Sequence, residues 1–179
     1  MSVYTPVEFF LSHGWKVTSP YGMRTLNGVR AMHQGTDFGG KKLGEPVRTP
    51  YGGKVTVTGN FGTAGNAVGI RTEGKGKIMC FFHLQTIKVK KGQVVKAGDI
   101  IATNGATGNA TGPHVHFEIR NYDGTAFGTR PAWGDPAKYY DVESEEEMAI
   151  PKSPGEGNLL YQVKSGDTLS RIATRFGTT

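Results

Sequence analysis

Glycine punctuates this chain. Twenty-seven of its 179 residues are glycine, and the apolar residues between them fall in short runs. Glycine weakens helix interiors and supplies the positive φ that tight turns need. A chain cut at such intervals folds most readily into strands joined by turns. Residues 17–24 read as a strand ending in a turn, followed by a polar loop at Asn27-Gly28. Residues 54–59 and 67–72 read as strands, 73–77 as a hairpin turn and 78–84 as a buried returning strand. Residues 94–102 add a turn at Ala97-Gly98-Asp99 and another strand. One helical turn is expected near Phe9, and residues 131–141 are expected to pack back on the sheet. Many strands at short spacing predict an all-β domain, a compact antiparallel sandwich or barrel.

Charge is uneven. Residues 1–140 carry 17 Lys and Arg against 8 Asp and Glu, a net +9, whereas residues 141–179 carry 4 against 7, a net −3. A basic body suits an anionic polymer, nucleic acid or cell-wall polymer, and equally serves solubility. No nucleic-acid-binding motif accompanies the charge, so nucleic acid is not expected as a partner. The single cysteine, Cys80, excludes a disulfide framework and a Cys-rich zinc site; its apolar neighbours make it a core residue. The N-terminus does not read as a signal peptide, and no stretch approaches the roughly 18 apolar residues of a membrane span. A soluble monomer made in the cytoplasm is expected. Composition divides the chain into a lead (1–13), a main domain (14–140), an acidic and Pro/Gly-rich linker (141–160) and a final segment (161–179).

The chemistry lies in the histidines. His114-Val115-His116-Phe117-Glu118-Ile119-Arg120 follows a glycine-rich turn and alternates with period two. Alternation puts His114, His116 and Glu118 on one strand face and Val115, Phe117 and Ile119 on the other. His33 and Asp37 stand four apart, but Gly35, Gly39 and Gly40 argue for strand or loop there. His83 ends the run Phe81-Phe82-His83. Each has an ordinary reading alone: a hydrogen-bonded turn pair for His33 and Asp37, a core imidazole for His83, a solvated strand residue for Glu118. His13, with no partner motif, reads as a surface residue. Together they fit zinc, which takes imidazole and carboxylate ligands and in catalytic sites keeps one position open for water. His33, Asp37 and one of His114 and His116 would supply three ligands. The remaining histidines would carry protons. Glu118 is a candidate for orienting a ligand from behind.

Ser19-Pro20-Tyr21-Gly22-Met23-Arg24, His33-Gln34-Gly35-Thr36-Asp37, Phe82-His83-Leu84 and Thr111-Gly112-Pro113-His114-Val115-His116-Phe117-Glu118 resemble, in order and spacing, the lysostaphin/LytM-type zinc endopeptidases. The resemblance covers about residues 14–135. It implies a sandwich-like antiparallel fold (a duplicated hybrid motif) with a substrate groove, one zinc ion, and hydrolysis of peptide bonds in bacterial peptidoglycan. It implies that His33, Asp37 and His116 ligate zinc, and that His83 and His114 are the catalytic histidines. Phe81-Phe82 departs from the Tyr-Ser that often precedes the family's third-motif histidine.

Residues 161–179 resemble the first part of a LysM module, which binds wall glycan. The combination implies a phage lysin or virion-associated wall hydrolase, or else a host autolysin. A catalytically inactive wall-binding or activating relative is the alternative; it would have lost one of the five side chains, and none is missing. Residues 94–102 also resemble hairpins of biotinyl and lipoyl carrier domains, but no modifiable lysine stands on the turn in the required setting.

Overall fold

The glycine-bounded runs become twelve strands in a computed structural model that describes residues 4–26, 28–72 and 76–139. The linker and the LysM-like segment lie outside the described residues, as do Asn27, residues 73–75 of the hairpin turn, and Tyr140. The elements are α1 (Pro6–Ser12), β1 (Lys16–Ser19), β2 (Gly22–Leu26), β3 (Val29–His33), β4 (Thr36–Gly39), β5 (Pro46–Arg48) and β6 (Gly53–Asn60). There follow β7 (Asn66–Arg71), β8 (Lys77–Leu84), β9 (Thr86–Ile87), β10 (Val94–Val95), β11 (Ile100–Thr103) and β12 (Val115–Asn121). Among the described residues, seven strands form one sheet in the order β1-β4-β12-β8-β7-β6-β10, and β5-β11-β9 form a second. β2 and β3 form a separate hairpin, and the strand pairs in all three are antiparallel.

Period two decides what each face of the large sheet meets. Phe38 of β4, Met79 and Phe81 of β8, and Val115, Phe117 and Ile119 of β12 enter the main core. There they join Val47, Ile101 and Ala102 of the small sheet. This is the sandwich expected from the sequence. On the opposite face Ile78, Cys80 and Phe82 form a smaller apolar cluster with Ala67, against which Tyr122 and Phe127 pack. Cys80 is fully buried and its thiol is pushed up to about 12 by that burial, consistent with a core residue. The segment after β12 returns as expected: the Trp133 N–H donates to the Ile119 carbonyl at 2.7 Å, and Tyr139 is buried in the main core.

Residues 6–12, read from the sequence as part of a lead, contribute to that core. Helix α1 starts in a capping box: the Glu8 N–H donates to Thr5 Oγ1 (3.1 Å), and the Thr5 N–H donates to Glu8 Oε2 (2.7 Å). Pro6 adds a preset φ at the first turn. Seven residues make too short a helix to persist alone. Tertiary packing holds it: Phe10 stacks on Phe38 at 4.1 Å between ring centroids and meets Phe117 edge-on at 5.6 Å. His13 closes the helix from the surface, its Nδ1 2.8 Å from the Phe9 carbonyl oxygen. No described helix is long and apolar enough to cross a membrane.

Phe10→Ala should therefore lower the stability of the whole domain by about 3–5 kcal/mol. Denaturant unfolding of the purified protein measures it. A change below about 1 kcal/mol would mean that α1 is an appendage.

Candidate metal centre

Strand pairing builds the site. In β12, His116 stands opposite Asp37 of β4 on one side and opposite Phe82 of β8 on the other. His33 ends β3, and two residues, Gln34 and Gly35, turn the chain into β4. Gly35 lies against β12 so tightly that a Cβ there would overlap the Phe117 carbonyl oxygen and stand 2.8 Å from Glu118 Cγ. Only glycine allows His33 and Asp37 to approach His116 from this direction. The three donor atoms lie within 4.8 Å of one another.

Their outer hydrogen bonds decide which atoms face inward. His33 Nδ1 is 2.8 Å from the Pro20 carbonyl oxygen, an acceptor only, so Nδ1 carries the proton. In the neutral ring Nε2 is then a lone pair. His116 Nε2 is 2.9 Å from Glu118 Oε1 and donates to it, leaving the lone pair on Nδ1. These two ring nitrogens are 3.1 Å apart, and they stand 3.2 Å and 2.7 Å from the same oxygen, Asp37 Oδ1. Three lone pairs thus converge on one point. Such a cluster repels itself unless a cation occupies it. Two imidazoles and a carboxylate are a donor set that zinc favours, and three protein ligands leave a position for solvent. The residues fit the metal that the sequence implies.

The surrounding charges hold this set in place. Arg24 Nη1 donates to Asp37 Oδ2 at 3.1 Å and to Ser19 Oγ at 2.7 Å. Arg120 Nε donates to Glu118 Oε2 at 2.6 Å. Burial pushes the Asp37 carboxyl up, but its close contacts with the His116 and His33 rings outweigh it and hold the group far below the usual carboxylate range. Burial likewise opposes ionisation of Glu118, and the bonds from His116 and Arg120 bring it down to about 2. Burial opposes charge on His116, yet its bonds to Asp37 and Glu118 raise its pKa; in the metal-free protein a proton is the cation available.

His83 and His114 stand beside the cluster, their rings 4.9 Å apart between centroids. His114 precedes β12, bridged to Gly105, and its Nε2 is 3.9 Å from Asp37 Oδ1. Its Nδ1 donates to the Gly112 carbonyl at 2.9 Å, and His83 Nδ1 donates to the Thr107 carbonyl at 2.9 Å. Both Nε2 atoms are therefore lone pairs when the rings are neutral. Burial lowers the pKa of His83. Plain alternation along β8 would send His83 into the main core beside Phe81. Instead His83 has φ +62°, a left-handed conformation rare outside glycine, and Leu84 takes the core position. The β7–β8 register shifts at the same place. This bulge turns the His83 ring to within 6.1 Å of His116, centroid to centroid.

All six residues singled out from the sequence are thus gathered in one place. Sequence reasoning missed Arg120, Thr107 and the role of Gly35. Arg120 was within reach, since it continues the alternation of His116 and Glu118. Thr107 carries no local signal; it acts through a backbone carbonyl.

Comparisons with known proteins point to one family. Residues 31–128 match Peptidase family M23, and residues 161–179 match the LysM domain. Peptidoglycan DD-endopeptidase ShyA of Vibrio cholerae is 42% identical over 108 residues, 59% of this chain and 25% of that protein. The catalytic domain of the antimicrobial peptidase lysostaphin from Staphylococcus simulans is similar in structure, with TM-score 0.61 and 32% identity over 74% of this chain and 95% of that one. A zinc-containing peptidase from Vibrio cholerae gives TM-score 0.59 and 35% identity over 70% of this chain and 37% of that one. The chain spans about a quarter of the length of relatives such as ShyA.

Two predictions follow from the geometry. Gly35→Ala should cost about 1–3 kcal/mol through overpacking and greatly reduce bound zinc. Thermal unfolding and elemental analysis read the two effects; an unchanged zinc content would mean that the β3–β4 turn tolerates a side chain. The second concerns acid. Glu118 has a folded pKa below its ordinary 4.5, so the stability it confers is fully present above pH 4.5 and is lost as pH falls towards 2. The shift corresponds to roughly 3 kcal/mol. Metal-free protein should lose about that much between those limits, measured by urea unfolding, and Glu118→Gln should flatten this part of the profile.

Proposed function

Because the chain belongs to peptidase family M23, a family of zinc metallopeptidases, we propose that it is a zinc-dependent endopeptidase that hydrolyses peptide bonds in bacterial peptidoglycan, in the cross-bridge or the stem peptide. The observation that carries this is the convergence of three lone pairs beside two further imidazoles whose Nε2 atoms are free to take protons. In this reading His33 Nε2, Asp37 Oδ1 and His116 Nδ1 hold the metal. Zinc held there polarises a scissile carbonyl and lowers the pKa of water to about 7. His83, kept neutral by burial, accepts the proton of the attacking water at Nε2 and returns it to the leaving amine. His114, once protonated at Nε2, donates a hydrogen bond to the oxyanion that develops on the carbonyl. The carbonyls of Thr107 and Gly112 keep both rings in the required tautomer.

The wall as substrate is supported by the names of the relatives, ShyA as a peptidoglycan DD-endopeptidase and lysostaphin as an antimicrobial peptidase. The LysM match supports glycan as a second partner in the same wall. A lytic role, as a phage lysin or virion-associated hydrolase, is the further part of the proposal. An inactive activator would lack one of the five groups, and all five are present.

Purified walls of several cross-link types, incubated with the protein, should lose turbidity and release fragments whose masses identify the cleaved bond. A chelator or His116→Ala should abolish clearing. His83→Ala and His114→Ala should retain zinc but lose about 10²–10⁴-fold in turnover. Clearing that survives both the chelator and His116→Ala would overturn the mechanism.

A further inference from the structure

Arg120 is a charged side chain 3% exposed, and its hydrogen bond and ion pair go to Glu118. Burying a guanidinium is expensive, and one of its nitrogens, Nη2, is buried without a hydrogen-bond partner among the described residues. An apolar residue would fill the same space without either penalty. What Arg120 does have is a short bond from Nε to Glu118 Oε2, at 2.6 Å, and a place over the Phe82 ring, 5.2 Å from its centroid. Phe82 in turn stands opposite His116 across the β8–β12 ladder, ring to ring at 5.8 Å.

We propose that Arg120 is a positioning residue for the metal centre: seated on Phe82, it clamps Glu118 and thereby holds the proton of His116 on Nε2, away from the metal-facing Nδ1. The proposal rests on the reading of His116 as a ligand. Two competitors show what the clamp prevents. Arg130, exposed, has Nη2 3.9 Å from Glu118 Oε1, the oxygen that His116 uses. With Oε2 tied to Arg120, the carboxylate cannot swing out to Arg130. The second competitor is Asp37, whose Oδ1 is 2.7 Å from His116 Nδ1. If Glu118 turned away, the neutral ring would place its proton on Nδ1 and donate it to Asp37. That would close His116 and Asp37 into a hydrogen-bonded pair and remove two lone pairs from the ligand set. The arrangement of His116, Glu118 and Arg120 on one strand face, two residues apart, makes the clamp part of the strand itself.

The test uses the full chain in metal-free form, with the zinc dissociation constant read by competition with a chromophoric chelator. The His116 tautomer is read, at a pH where the metal-free ring is neutral, from the ¹⁵N shifts and couplings of its ring. Arg120→Met should weaken zinc binding about 10- to 100-fold and move the His116 proton to Nδ1, with the fold intact by circular dichroism. Phe82→Ala should weaken binding in the same direction. In a Glu118→Gln background, Arg120→Met should change affinity less than about twofold, because the residue through which it acts is already altered. Unchanged affinity and an Nε2–H tautomer in folded Arg120→Met would overturn the proposal, as would losses that multiply in the double variant. Should Arg120→Met fail to fold, Arg120→Lys, which keeps the charge but not the planar fork, is read by the same criteria. His116→Ala run in parallel separates the two levels. If it retains full zinc affinity, the metal centre itself is misassigned; if it loses zinc while folded Arg120→Met does not, only the clamp falls.

Discussion

The cross-strand pairing of His116 with Asp37 is the interaction on which the rest depends. It brings a carboxylate oxygen to 2.7 Å from an imidazole lone pair inside a sheet. A carboxylate and an imidazole are poor occupants of a half-buried sheet face unless something charged lies between or around them. The neighbouring groups respond to that need. Arg24 balances the far oxygen of Asp37, and Glu118 with Arg120 balances the far side of His116. Each outer partner also fixes an orientation, so the charge compensation and the geometry of the donor set are one arrangement. A slip of one residue between β4 and β12 would exchange His116 for Val115 or Phe117 opposite Asp37 and send the imidazole into the core. The alternating apolar residues on the other face make that slip unfavourable, since Phe38, Val115 and Phe117 are all fully buried.

His83 shows the same economy carried to the point of strain. A non-glycine residue in the left-handed region costs on the order of 1–3 kcal/mol and persists where its surroundings over-determine it. Here they do. The His83 ring is tied to the Thr107 carbonyl, while Thr107 Oγ1 donates to the Leu84 carbonyl at 2.8 Å and accepts from the Asn66 N–H at 2.9 Å. Gly65, Gly105 and Gly108 pack around this loop with no room for a Cβ: one at Gly105 would lie 2.6 Å from the Leu84 carbonyl carbon. The bulge in β8 and the loop before His114 are therefore tied to each other through Thr107.

The strand face of β12 was legible because both of its signals are local. Val115, Phe117 and Ile119 point one way, and period two places His116 and Glu118 on the other without further information. The glycine-rich links, the core role of Cys80 and the return of the chain at Trp133 were legible for similar reasons. His83 was not placed by periodicity, because the bulge breaks the alternation on which periodicity depends. Whether His114 or His116 held the metal was likewise open to residue reasoning, since both sit at the same end of one face. The family resemblance favours His116; in the folded chain its Nδ1 lies 2.7 Å from Asp37 Oδ1, whereas His114 Nε2 lies 3.9 Å away. Helix α1 was visible as one turn, but its burial depends on Phe38 and Phe117, far along the chain, and no local pattern reports such contacts.

The two faces of the large sheet accordingly serve one another. The ionic face carries buried charge whose hydrogen bonds tolerate little displacement. A strand that must hold donor atoms to a few tenths of an ångström needs its opposite face packed in a single way, and aromatic stacking provides that. Phe10, Phe38, Phe81 and Phe117 form a continuous aromatic layer directly behind Asp37, His116 and Phe82, with centroid separations from 4.1 to 6.4 Å. Phe38 follows Asp37 in the chain and Phe117 follows His116, so two of the three donor residues are flanked by an anchor of that layer. The rigidity of the donor set is thus inherited from apolar packing that contains no functional group, and helix α1 belongs to the site through Phe10 although it touches none of its polar atoms.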